Sequence, residues 1–208
     1  MFKKILIANR GEIAARIIRT CREMGIATVA VYSEADQDAI FVREADEAYL
    51  LGGPRVFESY NNMDKIIGIA KDAGAEAIHP GYGFLSENAI FAERCLKEKI
   101  VFIGPDAEVI AKMGEKIEAR KMMETAGLPV VPGVSRPLAD AKEACMHAGR
   151  IGYPVMLKAS AGGGGIGMGA VASEEELLKT FDGHKKRAES FFGNGDMFLE
   201  KLIENPRH

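Results

Sequence analysis

The 208-residue sequence predicts an α/β protein, with a doubly wound parallel-sheet domain at the N-terminus followed by a small α+β domain. Three observations carry that expectation. Short apolar runs alternate with segments of helical period up to about residue 112. Gly and Pro then punctuate the chain from Gly127 to Gly133. Beyond them, two strand-like runs flank a loop in which five of the six residues 162–167 are glycine.

Taken in order, Ile5–Ala8 is an apolar run suited to a buried strand. Ile13, Ile17, Cys21 and Met24, with Ala14 and Ile18 beside them, mark one face of a helix. Thr28–Tyr32 is apolar and β-branched, hence strand-like. Helical Met63–Ala73, a strand end at Ala77–His79, helical Ala89–Leu96 and a strand at Ile100–Ile103 continue the alternation. Strands separated by helices imply parallel βαβ units with helices on both sheet faces. Two short helices are expected at Ala107–Met113 and Glu115–Ala126. Pro129 and Pro132 cannot continue a helix, so Gly127–Gly133 reads as a linker. A helix near Ala139–Ala148, strands at Val155–Lys158 and Met168–Val171, a helix from Ser173 and a last strand at Met197–Glu200 complete the chain. Ser173-Glu174-Glu175-Glu176 fits a capping box. The expected division is 1–112 for the α/β domain, 113–133 for a helical linker and 134–208 for the α+β part.

The net charge of -3, with no run of Lys or Arg, argues against nucleic acid as a partner. No apolar stretch approaches the ~20 residues a membrane helix needs. The opening apolar run meets Asn9 and Arg10 too early for a signal peptide. Cys21, Cys95 and Cys145 are scattered and lack metal or disulfide spacing. A cytoplasmic location is expected.

The strongest chemical signal runs from Lys158 to Gly169. Successive glycines are entropically costly, yet they let backbone N–H groups turn toward a polyanion and approach phosphates closely. Gly162, Gly164 and Gly167 satisfy G-x-G-x-x-G, but a strand follows where a dinucleotide fingerprint needs a helix. The Lys-Ser/Thr pair of a P-loop is missing. A glycine flap between two strands would cover a triphosphate, with Lys158 as counter-charge; the competing reading is a surface hairpin. Lys116 alone reads as a solvated lysine at a helix start, and Glu200-Lys201 as an acidic–basic pair at a strand end. The loop His79–Asn88 follows a strand, where open α/β sheets place their ligands. It reads equally as a rigid loop in which Ser86 or Asn88 caps the next helix. Asn9-Arg10-Gly11-Glu12, with Glu34 and Asp36, imitates a dinucleotide site without its paired glycines, which favours structural or interdomain roles. His147 and His184 read as surface or packing residues.

The segments ILIANRGEIAARIIRTCREMGI, VAVYSEADQDA, EADEAYLLG, HPGYGFLSEN, FIGP, MGEKIEARKMMETAGLPVVPG, KASAGGGGIGM and FLEKLIENPRH resemble, in this order, the biotin carboxylase family. The resemblance runs from Met1 to His208 and implies a pre-ATP-grasp domain followed by an ATP-grasp lid subdomain. It implies a ligase that uses ATP, Mg²⁺ and bicarbonate to carboxylate biotin on a biotin carboxyl carrier domain, through carboxyphosphate. Such enzymes serve a carboxyltransferase subunit, as in the acetyl-CoA carboxylase of fatty acid biosynthesis, and the full-length enzyme is expected to be a homodimer. By position, Lys116 and Lys158 are implied to contact ATP phosphates and adenine-side groups. Gly164 and Gly165 lie in the flap. Glu200, Lys201, Leu202 and Ile203 form the adenine-edge segment, and His208 faces the ribose or phosphates. Tyr82 and Glu87 are implied at the rim of the bicarbonate and biotin pocket.

Three positions depart from the family pattern. Ile166 stands where the family commonly has Arg, which leaves the flap with backbone donors only. Leu202 replaces a common Tyr, and Gly114-Glu115-Lys116 replaces Gly-Asp-Lys. In the family, the Mg²⁺ carboxylates, the general base for bicarbonate and the Arg that steadies the biotin enolate follow the Asn-Pro-Arg-His segment. The chain is therefore expected to be an N-terminal fragment, inactive by itself, with no catalytic or metal-ligating residue of its own. The alternatives are another ATP-grasp ligase, of the carbamoyl-phosphate or purine-pathway kind, and a non-catalytic nucleotide-binding module.

Overall fold

A computed structural model describes residues 1–160 and 167–207 of the chain, which divides into two units, Met1–Ala111 and Lys112–His208. In the first, β1 (Lys4–Ile7), β2 (Ala27–Ser33), β3 (Glu47–Gly52), β4 (Ala77–His79) and β5 (Val101–Phe102) form a parallel sheet in the order β3-β2-β1-β4-β5. Between and after them run α1 (Gly11–Glu23), α2 (Ile40–Glu44), α3 (Met63–Asp72), α4 (Ala89–Lys97) and α5 (Ala107–Gly114).

Both faces of this sheet are apolar, so both are covered. Leu6, Val29, Val31 and Ile78 pack with Ile66, Ile67 and Ala70 of α3 and Phe91 and Cys95 of α4. Ile5, Ile7, Ala30 and Ala77 point the other way, onto Ala14, Ile17, Ile18 and Cys21 of α1 and Phe41 of α2. Asn62 and Asn88 cap α3 and α4, accepting from the N–H groups of Lys65 at 3.1 Å and Phe91 at 2.9 Å. The sequence reading passes over β3 and α2. β3 is an edge strand whose Leu50 is half exposed, so it lacks the buried apolar run that marks β1 and β2. α2 has only five residues, too few to show a period.

The second unit is built on an antiparallel sheet, order β7-β6-β8, of β6 (Val155–Ala159), β7 (Met168–Val171) and β8 (Met197–Lys201). α6 (Lys116–Thr125), α7 (Ala141–Ile151) and α8 (Glu174–Phe192) accompany it. Val155, Leu157, Ala159, Val171, Met197 and Leu199 turn one face onto Ala144 and Ala148 of α7 and Leu177, Phe181 and Ala188 of α8. Ser173 caps α8 by accepting from Glu176 N–H at 3.3 Å, and Glu176 accepts in return from Ala172 N–H at 2.7 Å. The helix stops at Gly193, whose φ of +68° suits glycine.

The segment read as a linker, 127–133, ends alongside β8. Lys201 N–H donates to Pro132 O at 2.7 Å, and Val134 N–H to Leu199 O at 2.8 Å. Proline lacks a donor but keeps its carbonyl, so Pro132 serves this edge from its accepting side. Gly133 is required here, since a Cβ would sit 2.7 Å from Leu199 O. Among the described residues, no helix is long and apolar enough to cross a membrane.

Candidate functional site

The first unit has the topology that makes a crevice. Strand order reverses between β1 and β4, and the loops leaving both strands meet there. Asn9, fully buried, closes the bottom: its Nδ2 donates to Pro80 O at 2.7 Å and Tyr82 O at 2.9 Å, and its Oδ1 accepts from Arg10 N–H. Gly81 is needed opposite, with φ +66° and no room for a Cβ against Asn9 and Ile13. What remains is a shallow space of about 320 Å³ lined by residues of both loops, from Asn9 to Ile13 and from Tyr82 to Phe84. Tyr82, more than half exposed, donates its phenol proton to Glu12 at 2.5 Å, and that bond raises its pKa. Glu87 is exposed in the same loop.

Arg10 and Asp36 are tied to each other. The buried Asp36 carboxylate accepts from Arg10, from Tyr60 Oη at 2.6 Å and from Ser33 Oγ at 3.1 Å. The Arg10 guanidinium holds Asp36 at about 2, and burial together with the bond to Asp36 pushes Tyr60 up to about 12. This acid is fully engaged inside the fold, which is the structural role its context suggested.

The second unit brings together residues that are bland one by one. A cleft of about 450 Å³ lies on the sheet face that α7 and α8 leave uncovered, lined by α6, by Val130 and Val131, and by residues of β6 and β8. Lys116 opens α6 into it, while Lys158 of β6 and Glu200 of β8 enter from the sheet. Lys158 and Glu200 form an ion pair with side chains 26% and 17% exposed, so neither is a freely solvated surface charge. Desolvation lowers the pKa of Lys116, the nearby charge of Lys158 lowers it further, and Glu200 opposes both. Two partly desolvated ammonium groups beside a helix N-terminus make a setting for a polyanion.

Other expected site residues fall differently. Lys201 turns its ammonium away, donating to Gly152 O at 3.0 Å and Tyr153 O at 2.9 Å. Leu202 is partly buried and its N–H donates to Pro154 O at 3.1 Å, whereas Ile203 is half exposed. Gly164, Gly165, Ile166 and His208 lie outside the described residues. One cleft residue escaped the sequence reading: Arg120, buried on α6. The signal available was its place four residues after Lys116 and four before Glu124, a charged row along one helix face.

Comparison with known proteins decides what these features belong to. The family described as "Biotin carboxylase, N-terminal domain" matches residues 1–110. The chain belongs to the biotin carboxylase family. The family described as "Carbamoyl-phosphate synthase L chain, ATP binding domain" matches residues 115–208. Biotin carboxylase 2 of Bacillus subtilis is 66% identical over all of this chain and 47% of its own length. Biotin carboxylase of Halalkalibacterium halodurans is 63% identical over all of this chain and 46% of its own. The crystal structure of a biotin carboxylase–βγ-ATP complex from Campylobacter jejuni, 50% identical, matches with a TM-score of 0.93 over all of this chain and 46% of that one. The biotin carboxylase domain dimer of Hydrogenobacter thermophilus 2-oxoglutarate carboxylase, in complex with MgADP, ADP and bicarbonate, is 51% identical. It matches with a TM-score of 0.90 over 99% of this chain and 45% of that one. The chain spans about half the length of the curated relatives it matches. Both units of this biotin carboxylase chain are thus covered by proteins of one family, and its cleft lies in the part matched to an ATP-binding domain.

Proposed function

We propose that the chain supplies one wall of the nucleotide site of a biotin carboxylase, a ligase that uses ATP and bicarbonate to carboxylate biotin on a carrier domain. The observation that carries this reading is the convergence of Lys116, Lys158 and Glu200 in one cleft. Lys116 and Lys158 take phosphate oxygens, where charge-assisted hydrogen bonds are strongest. Glu200 through Ile203 line the adenine edge, mainly through backbone groups, since the Lys201 ammonium is held by Gly152 and Tyr153. The flap glycines Gly164 and Gly165, together with His208, belong to the same nucleotide site.

The reaction runs in balance. A bicarbonate oxygen attacks the γ-phosphorus, ADP leaves, and the product is carboxyphosphate. That breaks down to carbon dioxide and phosphate; the released phosphate takes the proton of the biotin ureido nitrogen, which then forms its N–C bond to the carbon dioxide. Tyr82 and Glu87 stand at the rim of the bicarbonate and biotin pocket. Among the described residues no group of three His, Cys, Asp or Glu is placed to hold a metal. The enzyme acts as a cytoplasmic homodimer with a biotin carboxyl carrier domain and a carboxyltransferase subunit, the latter choosing the acyl-CoA or oxo acid.

Calorimetric titration of the complete enzyme with MgATP tests the nucleotide site. The double variant Lys116→Ala, Lys158→Ala should lose measurable binding, while Lys179→Ala, an exposed lysine paired with Glu175, should bind as the parent does. Equal binding by all three proteins would remove the cleft from consideration.

A further inference from the structure

Arg120 is a buried cation with more partners than a helix lysine or arginine needs. Its side chain is 7% exposed. Nε donates to Ser135 Oγ at 2.9 Å and lies 3.1 Å from Glu124 Oε1, one Nη donates to Val131 O, and the other lies 3.4 Å from Glu200 Oε1. Glu200 therefore sits between two cations, with Arg120 at Oε1 and Lys158 at Oε2. They are not equivalent. Arg120 is sealed in and anchored to α6 and to the segment from Val131 to Ser135, whereas the Lys158 side chain is 26% exposed and borders the cleft.

We propose that Arg120 is a positioning residue of the nucleotide site: it keeps the Glu200 carboxylate compensated, so that Lys158 can leave Glu200 for a phosphate oxygen. This rests on the nucleotide reading of the cleft. A carboxylate only 17% exposed is costly to strip of its cation. With a second, fixed cation already at Oε1, that cost does not fall on the binding step. Without Arg120, Glu200 retains Lys158 and the phosphate must compete for it. The guanidinium suits the task because its planar fork holds several acceptors at once, which a single ammonium does not.

The test compares MgATP, MgADP and adenosine by calorimetry on the complete enzyme and on its Arg120→Gln, Glu200→Gln and double variants. Arg120→Gln should weaken ATP and ADP on the order of tenfold, the usual scale for a charged hydrogen bond, and leave adenosine within about twofold. Adding Glu200→Gln should then restore ATP affinity to that of Glu200→Gln alone, because the competitor for Lys158 is gone. Additive losses, or an equal loss for adenosine, would show that Arg120 only holds the fold. If Arg120→Gln does not fold, Arg120→Lys keeps the charge without the fork and carries the same comparison at smaller amplitude. Lys158→Ala separates the two ideas. Unchanged ATP affinity in that variant overturns the nucleotide reading itself. A clear loss there, with none in the Arg120 variants, overturns the positioning role alone.

Discussion

Lys116 and Lys158 face the same cleft from different elements, the start of α6 and strand β6, and the charge of Lys158 lowers the pKa of Lys116. Two lysines rarely share a partly desolvated space unless an anion joins them, because each adds repulsion to the burial cost of the other. Glu200 offsets part of this from β8, and Arg120 adds a further positive charge behind it. The cleft thus holds more cationic than anionic charge until a ligand arrives.

In the complete enzyme, Lys158→Ala should lower kcat/KM for ATP roughly ten- to hundredfold, since one charge-assisted hydrogen bond is typically worth ~1.5–3 kcal/mol. Steady-state kinetics of bicarbonate-dependent ATP hydrolysis reads this directly. An unchanged value would return Lys158 to the role of a structural partner for Glu200.

The lowered pKa of Lys116 gives nucleotide binding a pH dependence with a definite sign. Phosphate oxygens stabilise the ammonium, so binding raises that pKa and takes up protons. Affinity for ATP should therefore be flat at neutral pH and fall as pH climbs through the depressed pKa of Lys116. Lys116→Ala should bind more weakly and lose this alkaline limb. Calorimetry in buffers of different ionisation enthalpy counts the protons, and proton release on binding would refute the assignment.

Some of this was legible in the residues and some was not. The stripe of Ile13, Ile17, Cys21 and neighbours shows α1, because one helix face is apolar whatever packs on it. The Gly162–Gly167 run beside Lys158 suggests a phosphate loop from sequence alone, and all of it but Gly167 lies outside the described residues. Arg120 shows no such mark. Its burial comes with the partners that gather around it, Val131, Ser135 and Glu200, and a charged helix residue looks solvated until those are known. Lys201 is the converse case: it adjoins Glu200 in sequence, yet strand alternation and the nearby carbonyls of Gly152 and Tyr153 take its side chain elsewhere. β3 stayed hidden because an edge strand is not obliged to be apolar on both faces.

In the first unit, Asp36 should make stability acid-sensitive. Its folded pKa of about 2 lies below the ordinary 3.8, and its side chain is 7% exposed. A depressed carboxylate pKa contributes stability that is complete above the ordinary value and is lost as pH falls through the folded value. The shift corresponds to about 2 kcal/mol. Asp36→Asn should cost about that much at neutral pH by urea denaturation, and the gap from the parent should close as pH drops from about 4 to about 2. A gap that does not change with pH would mean that Arg10, Tyr60 and Ser33 hold Asp36 through geometry rather than charge.

The 208 residues expressed by themselves should show no bicarbonate-dependent ATP hydrolysis with free biotin and should bind MgATP weakly. Phosphoryl transfer relies on positioning and on metal ions that neutralise the γ-phosphate as charge develops. The described residues supply cations for phosphate, Lys116 and Lys158, but no cluster of carboxylates to orient a metal. On the reading proposed above, the lysines would reach the phosphates from one side, and the charge repulsion within a triphosphate would be only partly offset. Binding through that wall alone should fall short of micromolar affinity, and it should weaken with added salt because its contacts are ionic. Calorimetry with MgATP and a coupled assay for ADP test both halves of the claim. Micromolar binding with measurable turnover would place the catalytic groups within these residues, and the acid and base would then have to be sought around Tyr82, Glu12 and Glu87.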